Sequence, residues 1–269
     1  MDKVVITVDE LKKMIRNNEE DKIEEIDIVT TATCGVMSGT MGVFHIPVAA
    51  PGTFRRGERI YLNGIEGYIG PCPNEYLGAV DVVIYGTSYV EDYGGGFLFK
   101  DLVRGREIEV VLESRGRSYR RSITLEDIPT AKMIGTRMAF KNYSAFTNLG
   151  EEPVETIFHR RKIKRGEASF SGCGELNPLQ NMYCDEGNLT GKRVLLNGAE
   201  GVILGYGTRS SEGKENLMVS ADMHNMDSYY LGGFITSGGV EVFNTIAVPL
   251  VQNNHTNYLV FRYKKSYIE

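Results

Sequence analysis

The chain contains a near copy of part of itself. Arg59-Ile-Tyr-Leu-Asn-Gly-Ile-Glu-Gly67 returns as Arg193-Val-Leu-Leu-Asn-Gly-Ala-Glu-Gly201. Upstream of each copy a cysteine stands among small residues, in Thr31-Ala-Thr-Cys34-Gly35 and in Phe170-Ser-Gly-Cys173-Gly174. Downstream of each, an acidic stretch with tyrosine ends in Gly-Gly-Phe, from Glu91 to Phe97 and from Asp227 to Phe234. Three landmarks in one order at similar spacing predict two related halves about an approximate two-fold axis, near 20–150 and 165–251, with Cys34 and Cys173 as equivalents. Either half alone would have a thin core, so the expectation is a single domain over 1–269. A third thiol, Cys72 in Gly70-Pro-Cys-Pro-Asn-Glu75, follows the repeated segment in the first half only, opposite Tyr206 in the second.

Short β-branched runs bounded by Gly and Pro predict strands at Ile26–Thr30, Val43–Val48, Arg59–Leu62, Val80–Tyr85, Arg193–Leu196, Asn216–Val219, Thr245–Val251 and Tyr258–Tyr263. Glu107–Leu112 reverses through Ser114–Arg117 into Tyr119–Ile123 as a hairpin. Thr7-Val-Asp-Glu10 opens a helix with Leu11, Met14 and Ile15 inward and Asn17-Asn18 as its stop. Thr124-Leu-Glu-Asp127 begins a second helix, and Ala131–Phe146 reads as a third, weakened by Gly135. The expected class is a β-rich α+β fold of two pseudo-symmetric halves around a shared cysteine-lined site.

A net charge of −5 excludes a nucleic-acid or anionic-membrane surface over the whole molecule. The basic run His159-Arg-Arg-Lys-Ile-Lys-Arg165 reads as a solvated connection between halves. The first residues lack the long apolar stretch of an export signal, and no run reaches membrane-spanning length. The expectation is a cytoplasmic protein, with a homodimer as the oligomer to consider. Four cysteines in such a chain are buried hydrophobes, metal ligands or reactive thiols rather than a disulfide framework.

Cys34 and Cys173 sit in polar, glycine-containing segments read as turns, and Cys72 is held between Pro71 and Pro73. Turns of this kind expose N–H groups to a sulfur or a bound anion. Three thiolates from three separated segments suit a [4Fe–4S] cluster with one iron open. They equally suit a persulfide carrier, in which one activated thiolate takes sulfur and a neighbour resolves it. A non-catalytic cluster carrier or scaffold is the reading from another class. Cys184 has no counterpart in the first half and reads as incidental. Arg55 and Arg56, with Arg137 and Arg209, are candidate clamps for a sulfonate or carboxylate. Gly94, Gly95 and Gly96 could cradle an anion. His45 and His224 adjoin repeat landmarks and are the candidates for moving protons.

At these same residues the chain resembles the archaeal homocysteine-biosynthesis (sulfur-incorporation) family, most closely its methanogenesis marker protein 16 branch. The resemblance is carried by Val29–Thr40, Pro51–Arg56, Gly70–Glu75, Tyr93–Gly96, Lys141–Tyr143, Phe170–Leu179 and Leu196–Gly201. It implies sulfur insertion into an aldehyde to give a thiol: aspartate semialdehyde to homocysteine in the broader family, sulfoacetaldehyde to coenzyme M in the marker branch. Ser38 and Ser118 stand where the homocysteine-forming members carry cysteines, which favours the marker branch and its thiols Cys34, Cys72 and Cys173. Marker proteins continue into a ferredoxin-like, Cys-rich domain that this sequence does not include. The implied partners are therefore a small anionic aldehyde, a sulfide or persulfide donor and a separate ferredoxin-like electron donor.

Overall fold

The computed structural model describes residues 4–251 apart from 8–9, 11–12, 15, 24, 27, 71–74, 139–143, 149, 155–161, 163, 166–167, 172–188, 209, 211–215 and 237–238, and along 28–34, 144–147, 168–171 and 247–251 it describes the backbone. β-Branched runs cut by Gly, Pro and Asn-Gly form most of it. In chain order they are β1 (Val5–Thr7), β2 (Ile28–Val36), β3 (Thr40–Pro47), β4 (Arg59–Leu62), β5 (Ile65–Ile69), β6 (Ala79–Tyr85), β7 (Tyr89–Val90), β8 (Tyr93–Gly94) and β9 (Ile108–Ser114). There follow β10 (Arg117–Ile123), β11 (Thr130–Met138), β12 (Ser144–Thr147), β13 (Ala168–Ser171), β14 (Arg193–Leu196), β15 (Ala199–Tyr206), β16 (Leu217–Asp222), β17 (Gly232–Thr236) and β18 (Gly239–Val251).

One large sheet takes the order β1-β2-β18-β14-β15-β16-β11-β3-β6-β5-β4-β9-β10, with β17 also on β18. Its neighbours pair antiparallel except β1 with β2. Alternation along β3 and β6 turns Phe44, Ile46, Val82 and Ile84 into the core, where the helix Gly95–Val103 adds Leu98, Phe99 and Leu102. The rings of Phe44 and Phe99 lie 6.2 Å apart.

The repeated segment folds the same way twice. Asn63 and Asn197 have φ of 48° and 51°, and Gly64 and Gly198 have φ of 80° and 84°. Left-handed geometry at both central positions closes a two-residue hairpin, and Asn-Gly meets it at least cost. Arg59 pairs with Glu66 at 3.0 Å and Arg193 with Glu200 at 3.1 Å. Outward from β3 the order is β6, β5, β4, β9; outward from β11 it is β16, β15, β14, β18. β3 and β11 pair with each other, with Gly42 opposite Met133.

Four expectations change. Cys34 is not in a turn: β2 continues through it to Val36, because the threonine-rich run finds a long partner in β18. The strands before the two cysteines are not counterparts either, since β2 joins the large sheet while β13 pairs only with β12. Ala131–Phe146 is not a helix. Its first part is β11, with Ala131, Met133 and Gly135 buried at period two, and pairing on both sides by β3 and β16 overrides helix propensity. Thr124 does form a capping box with Asp127, but it opens only the short 3₁₀ turn Leu125–Asp127. Glu10, Lys13, Met14 and Arg16 are helical, and Asn18, at φ 56°, follows them. Tyr258–Tyr263 and most of the basic run lie outside the described residues. Among the described residues no helix is long and apolar enough to cross a membrane.

Candidate functional site

A buried chain of amide and hydroxyl groups ties the second hairpin to the segment after Cys34. Cys34 stands opposite Thr245 in the ladder, and Gly35 opposite Asn244. Asn197 Oδ1 accepts from the Thr245 N–H at 2.9 Å, and its Nδ2 donates to Asn244 Oδ1 at 2.8 Å. Asn244 Nδ2 donates to Thr40 Oγ1 at 2.8 Å, which donates to the Met37 carbonyl at 2.6 Å. Asn197, Asn244 and Thr40 are almost wholly buried. Buried polar groups hold a geometry firmly when each is satisfied, so this relay fixes the turn from Met37 to Thr40 that carries Ser38.

Around that turn a polar cluster forms at the Thr40 end of β3. Thr136 donates to the Gly39 carbonyl from its N–H at 2.8 Å and from its hydroxyl at 2.9 Å. A Cβ at Gly39 would fall 2.4 Å from Thr136 Oγ1 and 3.2 Å from Arg137 Cβ. The Thr208 N–H donates to the Thr136 carbonyl at 2.8 Å. From β18, Glu241 is hydrogen-bonded to Ser38 and faces Arg137. Its Oε2 is sealed from solvent and has no hydrogen-bond partner. Burial pushes the Glu241 carboxyl above its ordinary range, partly offset by Ser38, the Val242 N–H and Arg137. Nothing in the motif reading pointed to Glu241. Its one signal is a lone acid in the alternating run Gly239-Val-Glu-Val-Phe243.

The other arginine motif lies elsewhere. Gly52 N donates to the Tyr76 carbonyl at 2.8 Å and Gly57 N to Glu75 Oε1 at 3.3 Å, lacing the Pro51–Arg56 loop to Glu75 and Tyr76, which follow Cys72 in the chain. Arg55 and Arg56 are exposed there, beyond the Pro47 end of β3. At about 3.4 Å per residue, the two ends of this strand are roughly 24 Å apart. Arg209 lies outside the described residues, but its neighbour Thr208 is at the Thr40 end. Cys72, Cys173 and Cys184 also lie outside them, as does the side chain of Cys34. Among the described residues no group of three His, Cys, Asp or Glu is placed to hold a metal.

The histidines part company. His45 Nδ1 meets Asp81 Oδ1 at 2.7 Å, its cross-strand partner, and the pair is only part-buried. His224 is held on both ring nitrogens: Nδ1 meets Asp222 Oδ1 at 2.7 Å, and Nε2 lies 3.1 and 2.9 Å from the Leu125 and Ile128 carbonyls. The glycine triplet serves packing instead of an anion. A Cβ at Gly94 would meet Val240 Cγ1 at 2.1 Å and one at Gly95 the Tyr85 carbonyl at 2.2 Å, while Gly95 and Gly96 already donate to the Ser88 and Gly86 carbonyls.

Asp222 also accepts from Lys132 at 2.7 Å. Burial raises its carboxyl, but the bonds from Lys132 and His224 outweigh this and bring it from 3.8 down to about 2. A folded value below the unfolded one stabilises above the unfolded value and is lost as pH falls through the folded one. Solvent screening reduces the size of the effect. The expected result is that the melting-temperature gap between wild type and Asp222→Asn closes between pH 4 and pH 2; a gap unchanged over that range would refute it.

A thiol-bearing β domain with a firmly held polar turn and a sealed carboxyl is suited to chemistry on a small polar substrate. The family model described as homocysteine biosynthesis enzyme, sulfur-incorporation, matches residues 3–263, and the chain belongs to that family. An uncharacterized protein of Methanocaldococcus jannaschii is 62% identical over 95% of this chain and 65% of its own length. One of Methanothermobacter thermautotrophicus is 52% identical over 93% of this chain and 59% of its own length. A protein of M. jannaschii named L-aspartate semialdehyde sulfurtransferase is 33% identical over 92% of this chain and 51% of its own. This chain thus spans between half and two thirds of the length of these relatives. No solved structure matches it.

Proposed function

We propose that this chain is the sulfur-incorporating part of an enzyme that converts a small anionic aldehyde into a thiol. Membership of the sulfur-incorporation family over nearly the whole chain carries this reading. Sulfoacetaldehyde, giving coenzyme M, is the proposed substrate. Support comes from Ser38 and Ser118, which by the family resemblance stand where homocysteine-forming members carry cysteines, and from an identity of only 33% to the L-aspartate semialdehyde sulfurtransferase of M. jannaschii. The order of pairing either side of the β3·β11 junction supports two pseudo-symmetric halves, with their boundary between β9 and β10.

Cys34, Cys72 and Cys173 are the proposed ligands of a [4Fe–4S] cluster, because three thiols are the donor set such a cluster takes. When bound, its open iron would supply sulfide and polarise the aldehyde oxygen. One observation weighs against Cys34 and Cys72 acting together, whether on one cluster or as a persulfide pair. Cys34 pairs with β18, whereas the residues bracketing Cys72 are bound to Asp81 and Gly57, and five strands separate β18 from β6 in the sheet. For the anionic end we favour Arg137 over Arg55 and Arg56, because it faces the held turn and has Thr136 and Thr208 beside it. His45, held by Asp81, sits roughly 17 Å along β3 from Thr40, too far to serve the small aldehyde that Arg137 would hold. Electrons come from a ferredoxin-like protein, in a cytoplasmic setting.

Anaerobic protein given sulfide, a low-potential reductant and an aldehyde tests this, with the thiol trapped and identified by mass. Sulfoacetaldehyde is expected to react best, aspartate semialdehyde less well and a neutral aldehyde least. Arg137→Ala should weaken sulfonate binding by about 2 kcal/mol, while Arg56→Ala leaves it unchanged. Absence of thiol from every aldehyde would overturn the proposal.

A further inference from the structure

We infer that Glu241, with Ser38 and Arg137, forms a subsite for the carbonyl oxygen of a small anionic carbonyl compound, in which Glu241 supplies the proton that oxygen takes up. The reaction it serves rests on the sulfur-incorporation reading; the subsite rests on geometry. A carboxyl oxygen sealed from solvent without a partner is costly and calls for an explanation. Two such oxygens occur among the described residues, on Glu75 and Glu241. The other oxygen of Glu75 accepts from the Gly57 N–H at 3.3 Å. Glu241 differs, because its carboxyl is hydrogen-bonded to Ser38 and lies in the field of Arg137, whose Cβ borders Gly39 in the same turn.

The remaining architecture holds these groups in place. The Asn197–Asn244–Thr40 relay fixes the Ser38 turn. Thr136 binds that turn to β11 next to Arg137. Met37 N donates to the Val242 carbonyl at 3.0 Å, which brings β18 to the turn at the residue after Glu241. Protonated, Glu241 can donate from the oxygen that has no partner, so the missing acceptor is a ligand oxygen. Burial favours that protonated form, as for other acids that act by donating.

The chemistry balances without a redox agent. The sulfur of hydrosulfide bonds to the carbonyl carbon, the π pair of the C=O bond moves to oxygen, and that oxygen takes the Glu241 proton. The products are an α-hydroxythiol and a Glu241 carboxylate, which Arg137 and the Ser38 hydroxyl then face. Reduction to the thiol is a later step with its own electron source.

Two measurements on the full chain test this. In infrared pH titrations, wild type is expected to keep a protonated carboxyl band above the ordinary carboxylate range. Glu241→Gln should lack that band and Glu75→Gln should retain it. Ser38→Ala should make it persist to higher pH, because the bond favouring the carboxylate is lost. Sulfoacetaldehyde without sulfide should shift the band. A band absent from wild type, or one unmoved by the aldehyde, overturns the subsite. In thiol formation, Glu241→Gln should lower kcat about 100-fold with KM little changed, and an active wild type matched by Glu241→Gln would also overturn it. Wild type that makes no thiol while the aldehyde shifts the band supports the subsite and rejects the reaction proposed above.

Discussion

Cys34→Ala is expected to lower thiol formation by about a thousandfold or more, the scale seen when a residue of a covalent or metal-based mechanism is removed. The cysteines also separate two mechanisms. With one cluster on three ligands, Cys34→Ala, Cys72→Ala and Cys173→Ala should each lose most of the iron, sulfide and visible absorbance of anaerobically purified protein. Cys184→Ala should keep them. A persulfide mechanism instead gives one cysteine that carries labile sulfur and a second whose loss traps it, with no iron in wild type. Three iron-replete single variants would rule out the cluster, and full activity in Cys34→Ala would rule out both mechanisms.

The strand-and-turn pattern was the most legible part of the fold, and the reversal read at Ser114–Arg117 is there. Asn-Gly between β-branched runs admits few backbone solutions, and Asn63-Gly64 and Asn197-Gly198 adopt the same one. Arg115-Gly116 likewise closes β9 onto β10 at φ 48° and 72°. Where reading failed, pairing at long range decided. Nothing local distinguishes Ala131–Met138 from a helix; two neighbouring strands make it β11. Nor could the glycines and serine after Cys34 reveal that β18, more than two hundred residues later, extends β2 past the cysteine.

The site was legible in part for the same reason. The motif residues Ser38, Gly39 and Thr40 and the arginine Arg137 do meet, and small residues there permit the close approach of β11 to the turn. Arg55 and Arg56 share the motif quality but lie at the far end of β3. Glu241 was invisible because its meaning comes from what surrounds it: alternation alone would place an acid at that position as an ordinary solvent-facing residue of a strand. In the sequence Asn197 shows only as one residue of the repeated segment. Its side chain contributes as much as its backbone.

Asn197→Ala is expected to destabilise the protein by about 4 kcal/mol, a large share of the roughly 5–15 kcal/mol that holds a domain together. The part-buried Thr245 N–H and the buried Asn244 Oδ1 would be left unsatisfied, at about 1–3 kcal/mol each. Alanine at φ 51° adds roughly 1 kcal/mol of left-handed strain. Asn197→Gly relieves the strain but not the lost bonds, so it should recover only that last amount. Asn63→Ala is the internal control. Asn63 has the same φ and also binds a partner N–H, that of Glu109 at 2.7 Å, but it is only half-buried and water can replace its side chain. About 2 kcal/mol is expected there from the same considerations. Denaturant unfolding of the three variants measures these differences. Equal losses at the two asparagines would mean that the relay to Thr40 adds nothing beyond the turn, and that the Ser38 segment is held without it, by Thr136 and the Met37–Val242 bond.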